Sequence, residues 1–312
     1  MKRMLFFVNP NAGQVAAGFE LLPIVQEFAQ GGYRVEVYPT QGPRELTEVV
    51  AREGWKYDMI VVTGGDGTLN EATSGLMHLP EEKRPLLGYI PRGTVNDVSR
   101  TLGISRVPKT AARDIITGET FPMDVGSFND RWFNYVAAFG AFTGVAYRTP
   151  SEEKKVLGRL AYLLDGVKSL TEIRPIRVRM KVAGKTVEEE VLLGLVTSTT
   201  SVGGFRVRGE QSGDLGDGLF EILLVRHMES LAVLKDVAAA LARGDFSGEL
   251  FYSCKASHVE FYFDEPVDWT LDGEHGGCTD RVFIDNHRRA QKIRIPAEKK
   301  QKHAGLLHLP GK

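Results

Sequence analysis

The densest chemistry in the chain lies in Gly64-Gly65-Asp66-Gly67-Thr68-Leu69-Asn70-Glu71, which follows the apolar run 59–62 and opens a helical pattern. A glycine-rich turn from strand to helix presents backbone N–H groups, and the helix N-terminus adds partial positive charge, so such a turn attracts phosphate. Glycines let the backbone approach the anion closely. Asp66 is out of place in a pure anion cradle, because a carboxylate repels phosphate. It makes sense if a cation such as Mg²⁺ lies between them, bound directly or through water. The alternative is a tight turn in which Asp66 caps the helix. The stretch is not a Walker A loop, since no Gly-Lys-Ser/Thr follows. Nor is it the dinucleotide fingerprint, since Gly65-x-Gly67-x-x lands on Asn70.

Two companions strengthen the nucleotide reading. Asn9-Pro10-Asn11-Ala12-Gly13 ends one apolar run and Pro91-Arg92-Gly93-Thr94-Val95-Asn96-Asp97 ends another. In an open α/β sheet, ligands bind outside the carboxyl ends of the strands, so three such loops would converge on one crevice, with Thr40 facing it. Further along, Leu271-Asp272-Gly273-Glu274 sets two carboxylates about a glycine. It reads either as a general base for a hydroxyl with an acidic neighbour or as an Asp-Gly hairpin turn with a solvated Glu. Asp214-Leu215-Gly216-Asp217-Gly218-Leu219 could hold a hard cation through Asp217 and carbonyls, or could simply turn the chain into the next strand.

The elements that position these loops follow from periodicity. Apolar runs at 4–8, 34–38, 59–62 and 86–90 alternate with helical patterns at 19–30, 45–53, from about 69, and at 96–102. Strand–helix alternation predicts a doubly wound, mostly parallel sheet. After about residue 122 the pattern becomes apolar–polar alternation, at 176–182, 187–196, 219–225, 258–263 and 292–295, interrupted by helical stretches at 152–170 and 230–243. That predicts an antiparallel β-sandwich. The expected division is an α/β nucleotide-binding domain at 1–122, a β-sandwich domain at 123–296, and a basic tail at 297–312.

Composition excludes several classes. The chain has 312 residues, with 39 Lys and Arg against 40 Asp and Glu, a formal net charge of −1. A dedicated nucleic-acid binder carries a basic excess, so no nucleic-acid partner is expected. Two cysteines, Cys254 and Cys278, are too few for a disulfide framework or a thiolate zinc site. No stretch approaches the roughly 18 to 20 apolar residues of a membrane span. The N-terminal run is too short for a signal peptide. A cytoplasmic location is expected.

The set of motifs, GGDGTLNE, GTVND, SVGGF at 201–205, the 214–219 turn and DGEHGG at 272–277, resembles the diacylglycerol kinase catalytic superfamily, which includes sphingosine and ceramide kinases, and most closely its soluble bacterial members. The resemblance runs in order over about residues 3 to 296. It implies a two-lobed kinase with the active site in the cleft. The α/β lobe would bind Mg·ATP and the β-sandwich lobe would receive a lipid. By this resemblance Asn9, Pro10, Asn11, Ala12, Gly13, Thr40, Gly64, Gly65, Asp66, Gly67, Thr68, Leu69, Asn70 and Thr94 bind ATP. Asp217, with carbonyls of Asp214 and Leu219, holds a structural Mg²⁺, linked through water by Asp66 and Asp97 to the catalytic metal. Asp272 and Glu274 form the acidic pair at which the acceptor hydroxyl loses its proton, Asp272 as base and Glu274 orienting it, or the reverse. Ala12 stands where a serine is common, and 209–213 lacks a proline that often begins that stretch.

The expected activity is therefore transfer of the γ-phosphate of ATP to diacylglycerol, giving phosphatidic acid. The expected partner is a membrane lipid at the inner bilayer surface, which Lys154, Lys155 and Arg159 could meet through anionic headgroups at about 1 kcal/mol each. A homodimer is compatible with this. A sphingoid base, phosphatidylglycerol or an isoprenoid alcohol would present the same hydroxyl. An NAD kinase shares a GGDGT-type loop but lacks the GTVND and SVGGF landmarks. A non-catalytic nucleotide sensor would have no use for the acidic pair.

Overall fold

The computed structural model describes residues 1–9, 21–140, 175–198, 201–202, 205–206, 215–227, 240, 246 and 248–297. The loop residues Pro10–Gly13, the stretches 147–170 and 207–214, nearly all of the expected helix 230–243 and the tail from 298 lie outside them.

Residue contacts group the chain into two compact units, Met1–Val125 with the chain from Arg289 onward, and Gly126–Arg288. The first unit is built on β1 (Lys2–Val8), α1 (Leu21–Gln30), β2 (Tyr33–Pro39), α2 (Glu45–Glu53), β3 (Met59–Gly64), α3 (Asp66–Met77), β4 (Leu86–Pro91), α4 (Asp97–Leu102), α5 (Pro108–Thr117) and the start of β5 (Glu119–Phe128). The strands run parallel in the order β4-β3-β1-β2. Register shows why both faces need helices. Phe6, Val61 and Gly88 are successive partners across the sheet and share one face. Phe6 meets Phe28 of α1 edge-on at 5.4 Å, and Gly88 abuts Ile115 of α5. Phe7 and Tyr38, partners on the opposite face, pack at 5.3 Å, and the Tyr38 hydroxyl donates to Glu45 at the head of α2. With β3 buried at every residue, the apolar runs read as strands covered on two sides.

The second unit contains the end of β5, β6 (Arg131–Phe133), β7 (Val136–Gly140), β8 (Ile176–Val182), β9 (Lys185–Thr197), β10 (Ser201–Val202), β11 (Phe205–Arg206), β12 (Phe220–Arg226), β13 (Phe251–Ala256), β14 (His258–Leu271) and most of β15 (Glu274–Ile295). Its pairings are antiparallel. The long strands β9 and β14 each change partner along their length: one end of both pairs with β8, the other end of both with β7. That encloses a core around the fully buried Trp269, whose ring lies 4.6 Å from Phe139 and 5.0 Å from Phe128.

Two boundaries differ from the sequence reading. Residues 292–295, expected as a strand of the second lobe, are the end of β15 and pair in parallel with β4 at Ile293–Leu87. They return to the first unit, where Arg294 donates to the Ile115, Ile116 and Gly118 carbonyls at the end of α5. Helix α3 starts at Asp66 rather than near Leu69, because extended Gly65 is its N-cap and accepts the Leu69 amide at 3.1 Å. Asp66 is thus a first-turn residue, favoured there by the helix dipole.

Candidate active site

In the first unit the loops at the strand ends meet. Arg92 N donates to Gly64 O at 2.7 Å, which lays the 91–97 loop alongside the end of β3. Gly65 and Gly93 then touch backbone to backbone. A Cβ on Gly93 would lie 2.6 Å from Gly65 Cα, and one on Gly64 would lie 2.2 Å from Thr68 Oγ1. These glycines are required because no side chain fits. From the first loop, Asn9 Nδ2 donates to Thr68 Oγ1 at 3.4 Å and Asn9 N to Thr63 O at 3.4 Å. Thr40 joins β1 through its amide, 2.9 Å from Val8 O. Asn9, Thr40, Gly64, Gly65, Thr68 and Gly93, with Thr94 beside it, therefore gather at one end of the parallel sheet, the end where α/β sheets bind ligands. Leu69 is different: its side chain is fully buried, so it packs α3 against the sheet. Asn70 accepts from Ser74 one turn on, at 3.5 Å.

Asn96 is the hub of this half. It sits in the left-handed region at φ 55°, fully buried, as N-cap of α4. Its Oδ1 accepts from Gly93 N at 3.0 Å and from the Tyr89 hydroxyl at 3.1 Å, and its Nδ2 donates to Gly93 O at 2.6 Å. Its backbone N donates to Asp66 Oδ2 at 2.8 Å. One residue thereby fixes the 91–97 loop, the α3 carboxylate and the following Asp97. Burial first, and then the charge of Asp66, push the Tyr89 phenol well up, so it stays a donor. Asp97 is fully buried, with Arg100 Nη1 at 3.9 Å.

In the second unit, Asp272 and Gly273 stand at φ 51° and 88° between Leu271 and Glu274, which face each other across β14 and β15. Two positive-φ residues in a two-residue loop make the type I′ hairpin for which Asp-Gly is suited. The hairpin reading and the acidic-pair reading thus describe one object. The Asp272 carboxylate is buried and accepts four N–H groups. Oδ2 takes Asn134 N at 2.7 Å and Asn134 Nδ2 at 3.2 Å, and Oδ1 takes Tyr135 N at 2.9 Å and Val136 N at 3.2 Å. Below it, Thr197 and Ser198 hydroxyls donate to Tyr135 O and Asn134 O. Glu274 is exposed, and Arg131 Nη1 tethers the next residue by its carbonyl at 3.2 Å.

Among the described residues no group of three or more His, Cys, Asp or Glu side chains could hold a metal. The 215–219 turn offers a different donor type. Asp217 Oδ1 accepts Leu219 N at 2.9 Å, and Gly218 turns the chain at φ 84° beneath the Arg288 stem. One carboxylate with backbone carbonyls is an all-oxygen set, which fits a hard cation such as Mg²⁺. Asp214 lies outside the described residues.

Sequence reasoning did not single out Asn96, Arg106, Asp124 or Asn134. Asn96 stood inside a motif already noted. Asp124, buried on β5, accepts Arg289 N at 2.7 Å; an acid inside the apolar run 121–125 was the available signal. Asn134 and Arg106 carry no local signal, because their partners are distant in sequence.

Comparison with known proteins gives a consistent result. Residues 3–128 match the family model described as diacylglycerol kinase catalytic domain, and 139–284 match that described as YegS C-terminal NAD kinase beta sandwich-like domain. The chain is 36% identical over 303 residues to a diacylglycerol kinase of Bacillus subtilis (strain 168), covering 96% of this chain and 98% of that one. It is 32% identical over 291 residues to a diacylglycerol kinase of Staphylococcus aureus, covering 92% and 90%. A crystal structure of a diacylglycerol kinase from Bacillus anthracis superposes with a TM-score of 0.77 at 28% identity, covering 94% and 97%. An NAD kinase from Archaeoglobus fulgidus, at 14% identity and a TM-score of 0.50, shares the fold.

Proposed function

The chain belongs to the diacylglycerol kinase family, and from that premise we propose that it transfers the γ-phosphoryl group of ATP to the free hydroxyl of diacylglycerol, giving phosphatidic acid and ADP. The observation that carries the nucleotide half is the backbone contact of Gly65 with Gly93, which joins two glycine loops at the ligand-binding end of a parallel sheet.

Phosphoryl transfer needs positioning and charge neutralisation more than covalent help. Amides of the 64–68 loop and of Thr94 and Val95 hold the phosphates, and the first turn of α3 adds its dipole. Asp66 and Asp97, fixed on either side of the Asn96 amide, would hold the catalytic Mg²⁺ through water, and Asp217 with neighbouring carbonyls would hold a structural one. Bound magnesium neutralises charge on the transferring group. The acceptor hydroxyl gives its proton to a carboxylate as its oxygen bonds to phosphorus and the bond to the ADP oxygen breaks. Between the two acids, geometry favours Glu274 as the base. An ionised carboxylate offers about four lone-pair directions, and four N–H donors already occupy those of Asp272. Asp272 then holds the hairpin from which Glu274 projects.

The lipid acceptor puts the working enzyme at a bilayer surface. Among the described residues no helix is long and apolar enough to cross a membrane. The deciding experiment incubates the purified chain and radiolabelled ATP with mixed micelles of diacylglycerol, a sphingoid base, phosphatidylglycerol or an isoprenoid alcohol, and with NAD. Label in phosphatidic acid is the expected result. Label in another lipid moves the acceptor, and label in NADP overturns the lipid-kinase reading.

A further inference from the structure

We infer that Arg106 is a positioning residue of the phosphate-binding loop, holding the Gly93 and Thr94 carbonyls so that the Thr94 and Val95 amides are presented together to a phosphate. The inference rests on the nucleotide reading above. Arg106 Nη2 lies 3.2 Å from Gly93 O and 3.4 Å from Thr94 O. In a trans peptide the carbonyl and the N–H of one plane point in opposite directions, and the described residues contain no cis peptide. Pinning Gly93 O toward Arg106 therefore turns Thr94 N–H away from it, and pinning Thr94 O does the same for Val95 N–H. In an extended strand successive carbonyls point to alternate sides. Here two in a row point to one guanidinium, which leaves two N–H groups in a row on the other side, the arrangement of an anion-binding nest.

Three other amides of the loop are already occupied. Arg92 N donates to Gly64 O, Gly93 N to Asn96 Oδ1 and Asn96 N to Asp66 Oδ2. Among the described residues, Thr94 N and Val95 N donate to no protein acceptor, and Thr94 is exposed. Gly93 O has a second donor in Asn96 Nδ2; the Thr94 carbonyl has Arg106 alone among the described residues. The second peptide plane is thus the one whose orientation depends on Arg106. The arginine is itself placed by short local structure. Left-handed Gly103 ends α4 at φ 68°, Val107 N donates to Ser105 Oγ at 3.1 Å, and Pro108 starts α5. Both contacts come from the single nitrogen Nη2, whose two N–H donors serve one carbonyl each.

The test titrates the full chain and its Arg106→Ala and Arg106→Lys variants with fluorescent N-methylanthraniloyl-ATP, at low and high potassium chloride, alongside thermal melting. Loss of the arginine is expected to weaken binding on the order of tenfold, by the same factor at both salt concentrations, with an unchanged melting temperature. Lysine, which also donates to carbonyls, is expected to restore most of the affinity. Arg106→Ala binding within about twofold of wild type would overturn the inference. So would a loss that vanishes at high salt, which marks a direct charge contact with phosphate rather than an effect through the backbone. If the wild-type chain itself fails to bind, the nucleotide reading falls, and this inference falls with it.

Discussion

Two carboxylates two residues apart end up in opposite environments, and on the proposed function that separates their roles. Asp272 is buried under four N–H donors, whereas Glu274 is exposed on the same hairpin. Glu274→Gln should abolish turnover while leaving both ATP affinity and melting temperature unchanged, since no packing depends on the exposed side chain. Asp272→Asn keeps a residue suited to the turn but sets an NH₂ group against backbone N–H donors. It should lower stability by about 3 kcal/mol and turnover with it, leaving the pH dependence of the residual activity like wild type. Urea denaturation and pH–rate profiles of the two variants decide between them. Loss of the acidic limb in Asp272→Asn, with retention in Glu274→Gln, would reverse the assignment. Asn96 makes a similar point. Its left-handed backbone and three side-chain hydrogen bonds leave little room for another residue type.

At the scale of elements, the first unit depends on loops approaching more closely than side chains permit. A methyl group on Gly93 would meet Gly65 Cα at 2.6 Å and Asn96 Oδ1 at 2.7 Å, backbone on one side and a hydrogen-bonded amide on the other. Neither can yield without moving β3 or α4. Gly93→Ala should therefore weaken ATP binding on the order of tenfold or more, while its far-ultraviolet circular dichroism stays that of the wild type. Wild-type affinity in this variant would mean that the two loops do not form one cradle. Helix α3 follows the same logic. Its start at Asp66 places that carboxylate in the first turn, where Asn96 N reaches it, instead of in a free loop.

For the whole molecule, the chain crosses between its two units within β5 and again within β15, so the end of the last strand joins the first unit while most of it belongs to the second. Stability also carries a pH signature in the second unit. His258 pairs across β14 and β15 with Asp285, Nδ1 to Oδ1 at 2.7 Å, and its Nε2 lies 3.4 Å from Glu260. Burial of the ring works against protonation, but hydrogen bonds and charge from Asp285 and Glu260 outweigh it and raise the histidine pKa above 6.5. A raised folded pKa adds stability that is complete below the unfolded value and is lost as pH climbs through the folded one. The melting temperature should therefore fall between about pH 6 and pH 8. The His258→Asn variant should show a shallower slope over that window; an identical slope in the two proteins would exclude this pair as its source. The effect is small, because the ring is 47% exposed.

Much of this was written in the local sequence. The runs at 4–8, 59–62 and 86–90 read as covered strands because they are almost wholly apolar. The glycine cluster at 64–67 marked either a tight turn or a backbone cradle for an anion, and Asp-Gly at 272–273 left a hairpin turn as one of two readings. These follow from one residue's sterics or from a short periodicity, which are properties of the chain itself. Tertiary structure alone decided that Gly65 touches Gly93, that Asn134 and its neighbours saturate Asp272, that Arg106 reaches back to the 93–94 carbonyls, and that 292–295 pairs beside β4. Each is a contact between segments whose meeting depends on how every intervening element packs. A carboxylate's role is set by the donors around it, and those donors come from more than a hundred residues away.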